Sequence, residues 1–288
     1  MKALTQLFLF AFFLAACSST DQITEQEISA SDQTKHPTTQ ATLWVQNSAE
    51  YKALAIQSYN AATRILPLPL QDSYWTASLE QQNSEFASLP PAIILDVDET
   101  VLDNAPFQAR MIKQDSGFDN EAWNDWCREA NADAIPGAVK FTSYAAEQGI
   151  NIFFVTNRDF EVEEATRQNL ASAGFPIPDS VDNIFSNGEQ EEWDSSKTER
   201  RKLIEQHYRV IMIFGDDLND FLPAKNISEE QRTNLIEENS NYFGRRWFML
   251  PNPVYGSWDQ AMYGFNNDLS DEEKEDILLQ HLDSKEKN

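Results

Sequence analysis

Asp96 and Asp98 stand either side of Val97 where the apolar run Ala92-Ile93-Ile94-Leu95 gives way to Asp96-Val97-Asp98-Glu99-Thr100. A second pair, Asp216 and Asp220, lies just past Val210-Ile211-Met212-Ile213-Phe214. Carboxylate oxygens are the ligands of hard divalent cations, and Mg²⁺ takes them at about 2.1 Å. Brought together, Asp96, Asp98, Asp216 and Asp220 would hold one such cation, with Asp216 the more direct ligand of its pair and Asp220 binding directly or through water. A cation in that position opens phosphoryl chemistry, because it neutralises the charge that otherwise repels a carboxylate nucleophile from a phosphate. Asp96 is then expected to be both nucleophile and metal ligand, forming an aspartyl-phosphate. Asp98 is expected to protonate the leaving alkoxide and afterwards to deprotonate the water that frees the enzyme.

A third apolar run, Ile152-Phe153-Phe154-Val155, ends in Thr156-Asn157-Arg158. Thr156 offers a hydroxyl and a backbone N–H to a phosphate oxygen, and the Asn157 amide stands beside it. The elements that must position these groups follow from the runs themselves. Short unbroken stretches rich in Ile, Val and Phe, separated by helix-length segments, read as central strands of a parallel sheet buried on both faces. Ligands of such sheets bind beyond the carboxyl ends of the strands, so all three polar clusters converge on one edge. Taken singly, an Asp-x-Asp or a Gly-Asp-Asp is most often a solvated turn; their recurrence at three strand ends is what points to a site. A calcium-binding loop over Asp96–Thr100 is excluded, because Thr100 and Val101 occupy the positions that need Asp or Asn and then Gly. Lys197 opens the charged stretch Lys197-Thr198-Glu199-Arg200-Arg201, where a lysine is ordinarily solvated.

The chain has 288 residues, enough for one large domain with an insertion. Its 22 lysines and arginines against 47 aspartates and glutamates leave a formal charge of -25, which excludes a nucleic-acid polymer as partner. Lys2 precedes an apolar stretch, Leu7 to Ala16, about half as long as a membrane-spanning helix needs. It ends Leu14-Ala15-Ala16-Cys17, the residue order of a bacterial lipobox. Residues 1–16 are therefore expected to be a lipoprotein signal peptide, with Cys17 lipidated and anchoring the chain to the membrane of the bacterial cell envelope. Ser18, in place of an Asp, points to the outer membrane. Residues 17–40, rich in Ser, Thr, Gln, Asp and Glu, read as a solvated tether. With Cys17 acylated, Cys127 is the other cysteine and no intramolecular disulfide can form; beside Trp126 it reads as a small apolar filler.

Apolar residues from Leu43 through Leu66 recur at helical intervals until Pro67 and Pro69 stop them. Residues 104–140 read as a small helical insert containing Phe107, Phe118, Trp123 and Trp126. Helices are expected over Ala138–Gln148, over Glu161–Ala173 with Gly174 closing it, and from Lys197 onward. Residues 269–288 read as a charged, marginally amphipathic tail with Ile277-Leu278-Leu279 and Leu282 as its stripe.

Asp96-Val97-Asp98-Glu99-Thr100, Thr156, Lys197 and Gly215-Asp216 through Asp220 resemble, in order, the four motifs of the haloacid dehalogenase superfamily. Ile94 through Asn104 and Gly215 through Phe221 resemble more closely the paired signatures of the bacterial class C acid phosphatases, which include the lipoprotein e 5′-nucleotidases. Trp44-Val45-Gln46, Ser48 to Tyr51, Tyr59-Asn60, Ile135 to Ala138 and Val155 to Arg158 extend the likeness over about 41–265. The resemblance implies a Rossmann-like α/β core with a parallel sheet and a small helical cap, the phosphatase domain spanning 41–268 and its cap about 104–140. It implies Mg²⁺ as the divalent cation, Lys197 at the phosphate, and hydrolysis of nucleoside 5′-monophosphates or nicotinamide mononucleotide. Trp123, Trp126, Phe118, Tyr242, Phe243, Trp247 and Trp258 are candidates to stack a base, with Trp123 foremost. Val97, Phe107 and Asp217 depart from the family's usual residues, and Asp217 is expected to add negative charge near the metal. The alternatives are a broad-specificity phosphatase, a phosphotransferase, and a non-catalytic lipoprotein that binds a ligand such as haem or acts as an adhesin. Four intact aspartates and only three histidines argue against the last.

Overall fold

The three apolar runs form the middle of one parallel sheet in the computed structural model, which describes residues 36–83, 85–178, 181–266 and 268–285. The strands are β1 (Pro91–Leu95), β2 (Leu102–Asp103), β3 (Asp133–Ala134), β4 (Asn151–Asp159), β5 (Ile184–Asn187), β6 (Arg209–Gly215) and β7 (Trp247–Met249). β1 is central, pairing Ile93 with Ile152 and Met212, and Leu95 with Phe154 and Phe214. β5 and β7 extend the two sides in parallel, giving the order β5-β4-β1-β6-β7. These outer strands have four and three residues, too short to stand out as apolar runs. The chain leaves β1 for β4 on one side and later runs to β6 on the other. The progression thus reverses at β1, and its carboxyl end is the place where such sheets bind ligands.

Side chains alternate between the faces. Ile93, Leu95, Phe154 and Phe214 pack with Tyr59, Phe141 and Phe248, while Ala92, Ile94, Phe153 and Val155 pack with Trp193, Ile204, Phe221 and Trp247. The helices are α1 (Thr39–Asn47), α2 (Ala49–Ile65), α3 (Pro67–Gln71), α4 (Ala105–Gln114), α5 (Asn120–Arg128), α6 (Ala138–Glu147), α7 (Glu163–Ala173), α8 (Thr198–His207), α9 (Glu229–Glu238), α10 (Ser257–Met262) and α11 (Asp271–His281). Among the described residues no helix is long and apolar enough to cross a membrane.

The single helix expected over Leu43–Leu66 is two. Ser48 is extended at φ -78 and ψ 140, and its hydroxyl accepts the Tyr51 N–H at 3.0 Å, so the residue that looked interior is the cap of α2. α1 starts at Thr39, inside the stretch expected to be tether; Cys17 and the expected signal peptide lie outside the described residues. The insert is α4 and α5, closed at its base by the antiparallel β2–β3 ladder. α7 ends at Gly174 with φ 96, as a left-handed stop requires. The charged tail contains a full helix, α11, capped reciprocally by Ser270 and Glu273, with Leu279 left exposed.

α2 reaches the edge where the carboxylates gather through Tyr59. Its ring stacks on Phe214 at 5.3 Å and its hydroxyl donates to the Thr100 carbonyl at 2.6 Å, fully buried. Tyr59→Phe is expected to lower the unfolding free energy by about 1–2 kcal/mol, the cost of leaving a buried carbonyl without its donor. Urea denaturation would measure it, and an unchanged midpoint would show that this contact does not hold α2 to the loop.

Candidate active site

β1 delivers Asp96, whose N–H donates to the Phe214 carbonyl at 3.0 Å and so prolongs the ladder by one residue. The chain then turns sharply: Val101 and Leu102 N–H groups both return to the Val97 carbonyl at 2.9 Å. Glu99 takes φ 57 in this turn, which costs a residue with a side chain roughly 1 kcal/mol. β6 delivers Asp216, and a short turn after it brings back Asp220. One carboxylate oxygen each from Asp96, Asp216 and Asp220 lies within 4.8 Å of the others. Asp220 reaches that place only because Gly215 lacks a side chain, since a Cβ there would stand 2.2–2.5 Å from the Asp220 side chain.

The Lys197 ammonium donates to Asp220 Oδ1 at 2.7 Å and to Asp96 Oδ1. Asn252 donates its amide N–H to Asp216 Oδ2 at 2.8 Å, and the Asp217 N–H donates to Asp220 Oδ2 at 3.0 Å. Burial lifts Asp96 and Asp216 above the usual carboxylate range; Lys197 pulls Asp96 back down, while Asp96 and Asp220 push Asp216 further up. Lys197 stays charged despite burial because Asp220 and Asp96 outweigh it. Three carboxylates, those of Asp96 and Asp220 buried and that of Asp216 half-buried, against one ammonium leave negative charge uncompensated, and every donor is a hard oxygen. That set fits a divalent cation of the Mg²⁺ type.

Asp98 does not join the cluster, contrary to its expected place among the metal ligands. Its Oδ1 accepts Arg158 Nε at 2.9 Å, Arg158 Nη2 at 2.8 Å and Asn104 Nδ2 at 2.7 Å, and its Oδ2 faces the Thr156 hydroxyl at 3.3 Å. Residues two apart point the same way only on an extended chain, and here the strand ends at Leu95 and the turn aims Asp98 elsewhere. Thr156 is fully buried and also accepts the Arg158 N–H at 3.1 Å. The Asn157 side chain faces the segment before α8: Oδ1 accepts from Arg200 at 2.6 Å and Nδ2 donates to the Ser195 carbonyl at 3.1 Å.

Two arginines absent from the sequence assignment brace these loops from α8. Arg200 donates to the Thr156 carbonyl, and Arg201 donates to the carbonyls of Asn219 and Asp220, both at 3.0 Å. The Arg-Arg pair at a helix start was the available signal, but it reads equally as a solvated face.

Trp123 is half-buried, edge-on to Phe107 at 5.0 Å, with the Arg158 guanidinium 5.6 Å from its ring. Phe118 beside it is 65 % exposed. Trp247 is fully buried and so not a candidate to stack a base, with the half-buried Tyr242 and Phe243 packed on it. Trp126 is buried too and donates to Asn104 Oδ1 at 2.8 Å. Asp217 is turned from the cluster toward Ser257 N–H at 2.8 Å and Arg232 at 3.7 Å, so its charge does not load the metal site as expected. Burial pushes the Cys127 thiol up to about 12, in keeping with a filler. The cap is fastened to the core at Asp159, which accepts side-chain amides of Asn120 at 2.8 Å, Asn124 at 3.0 Å and Asn187 at 3.1 Å.

The family described as HAD superfamily, subfamily IIIB (Acid phosphatase) matches residues 12–258. The chain belongs to this family. Among solved structures, the class C acid phosphatase from Bacillus anthracis with tungstate bound is 34 % identical with a TM-score of 0.75, covering 86 % of this chain and 97 % of that one. A second structure of that acid phosphatase gives 33 % identity and a TM-score of 0.74. Among curated proteins, the stem 28 kDa glycoprotein of Glycine max is 28 % identical over 169 residues, which cover 56 % of this chain and 58 % of the relative. Acid phosphatase 1 of Solanum lycopersicum is 27 % identical over 163 residues, covering 56 % and 57 %. The chain thus spans a little over half the length of the curated relatives it matches. The parallel sheet with flanking helices is the fold of the acid phosphatase structures.

Asn252 donates to Asp216 Oδ2, as a supporting partner would if Asp216 held a cation. Asn252→Ala is expected to weaken Mg²⁺ binding by about 10–100-fold. Calorimetric titration of the variant with Mg²⁺ would check this, and wild-type affinity would remove Asn252 from the site.

Proposed function

We propose that this acid phosphatase family member hydrolyses phosphomonoesters with a divalent cation, through an aspartyl-phosphate on Asp96, and that its substrates are nucleoside 5′-monophosphates or nicotinamide mononucleotide. The observation that carries the reading is the placement of Asp96 at the end of the central strand, with Asp216, Asp220 and Lys197 around its carboxylate and Asp98 held apart from them. The Bacillus anthracis relative holds tungstate, a tetrahedral oxyanion that stands in for phosphate, and this supports an oxyanion place among the same motifs here.

Asp96, Asp216 and Asp220 would hold the cation. When bound, it neutralises phosphoryl charge and lets a carboxylate approach. Asp96 then attacks phosphorus; the bond to the ester oxygen breaks, and that oxygen takes a proton from Asp98. Water next attacks the aspartyl-phosphate, giving its proton to Asp98, and the departing group is the Asp96 carboxylate. Lys197 spreads positive charge along the Asp96 side of the pocket throughout. Thr156, beside Asp98, and the Asn157 backbone border the phosphate. Trp123, on the cap and above Arg158, is the surface on which a base or nicotinamide would stack.

The lipobox order at Leu14–Cys17 supports a lipid anchor on Cys17, residues 1–16 as signal peptide, and the outer membrane of a bacterial envelope as the location. Cys17→Ser is expected to abolish incorporation of labelled palmitate, whereas continued labelling would place the lipid elsewhere or remove it from the proposal.

Phosphate release from nucleotides, nicotinamide mononucleotide and simple aryl phosphates tests the activity. Release is expected with Mg²⁺, lost with chelator, strongest for the nucleotides and absent in Asp96→Asn. Equal turnover of every ester would reduce the reading to a broad phosphatase, and an active Asp96→Asn would remove the nucleophile.

A further inference from the structure

Arg158 is 1 % exposed, yet it spends two N–H donors on a single oxygen of Asp98, and Asn104 adds a third. Nothing in phosphate binding calls for this. An oxygen already accepting three N–H groups has no lone pair left for a proton, so only Oδ2 can carry one. Oδ2 faces the Thr156 hydroxyl, which can turn to give or accept a hydrogen. The donors are themselves fixed from behind. Arg158 Nη1 donates to Thr166 Oγ1 at 3.2 Å, and Asn104 Oδ1 accepts Trp126 Nε1 at 2.8 Å and Arg158 Nη2 at 3.3 Å. With its oxygen taken by those two donors, Asn104 must present its NH₂ to Asp98.

We propose that Arg158, braced by Asn104, is a positioning residue that clamps Asp98 through Oδ1 and leaves Oδ2 as the oxygen that passes the proton to the leaving group. It rests on the reading of Asp98 as general acid. The clamp matters in proportion to how badly the leaving group needs a proton. An alkoxide such as the ribose 5′-oxygen of a nucleotide leaves poorly without one, whereas 4-nitrophenolate leaves unaided. A purely structural ion pair makes no such distinction, because misfolding or loosening affects both esters alike.

The experiment compares kcat/KM, which reports the step up to transfer of the phosphoryl group, for a nucleoside 5′-monophosphate and for 4-nitrophenyl phosphate in wild type, Asp98→Asn, Arg158→Met and Arg158→Lys. Asp98→Asn and Arg158→Met are each expected to lose about 10²-fold or more on the nucleotide and less than about 10-fold on the aryl ester. Arg158→Lys, which keeps the charge but not the two-pronged geometry, is expected to fall between them and wild type on the nucleotide. Equal losses on both esters in Arg158→Met would overturn the positioning role. If that variant does not fold, Arg158→Lys decides on the same criterion. Equal losses in Asp98→Asn would overturn the general-acid reading and the clamp with it, as would a wild type that turns over neither ester. Selective loss in Asp98→Asn without it in Arg158→Met would leave the general acid standing and remove Arg158.

Discussion

Negative charge gathered out of water is the constraint on which the rest of this protein depends. Asp96, Asp216 and Asp220 come within 4.8 Å of one another at the buried end of a sheet, with one ammonium among them. Isolated ions in such surroundings are strongly disfavoured. Their assembly is therefore sustained by the fold around it: the parallel ladder that carries Asp96 and Asp216 side by side, the bare Cα of Gly215 that admits Asp220, and the helix start that introduces Lys197.

The cationic side chains are distributed to match. Lys197, at the cap of α8, lies on the carboxylates, and the first turn of the helix sends Arg200 to Thr156 in β4 and Arg201 to the loop after β6. Neither arginine neutralises a carboxylate of the cluster. Both bind carbonyl oxygens, and so fix backbone instead of charge. Arg158 does the reverse, giving Asp98 a cationic partner of its own, apart from the carboxylate cluster. Two aspartates separated by a single residue thereby acquire unlike surroundings, which is the condition for unlike roles.

What could be read without coordinates was whatever the chain states locally. β1, β4 and β6 were legible because each is a run of large apolar residues ending in polar ones, and the helical insert because its aromatics recur between breakers. Asp96, Asp216, Asp220 and Lys197 do meet. β5 and β7 were not legible, being too short to show a period. Ser48 hid inside a helical pattern, because a cap and an interior serine look alike in sequence. Asp98 was expected beside Asp96, but the turn at Glu99 carries it to Arg158 instead. Arg158, Arg201, Asn104 and Asn252 draw their roles from partners that tertiary packing supplies; Arg158 and Asp98 are separated by 60 positions. A lone arginine or asparagine carries no mark of such a partner.

The amides on Asp159 fix how far the cap stands from the carboxylates. With Asn120 and Asn124 of α5 and Asn187 of β5 all converging on that one carboxylate, the cap helix is pinned to the strand that ends at the catalytic edge. Trp123 on the same helix consequently stands at a set distance from the carboxylates. The span between that ring and the carboxylates is thus a dimension built into the protein, one that a molecule touching both would have to match.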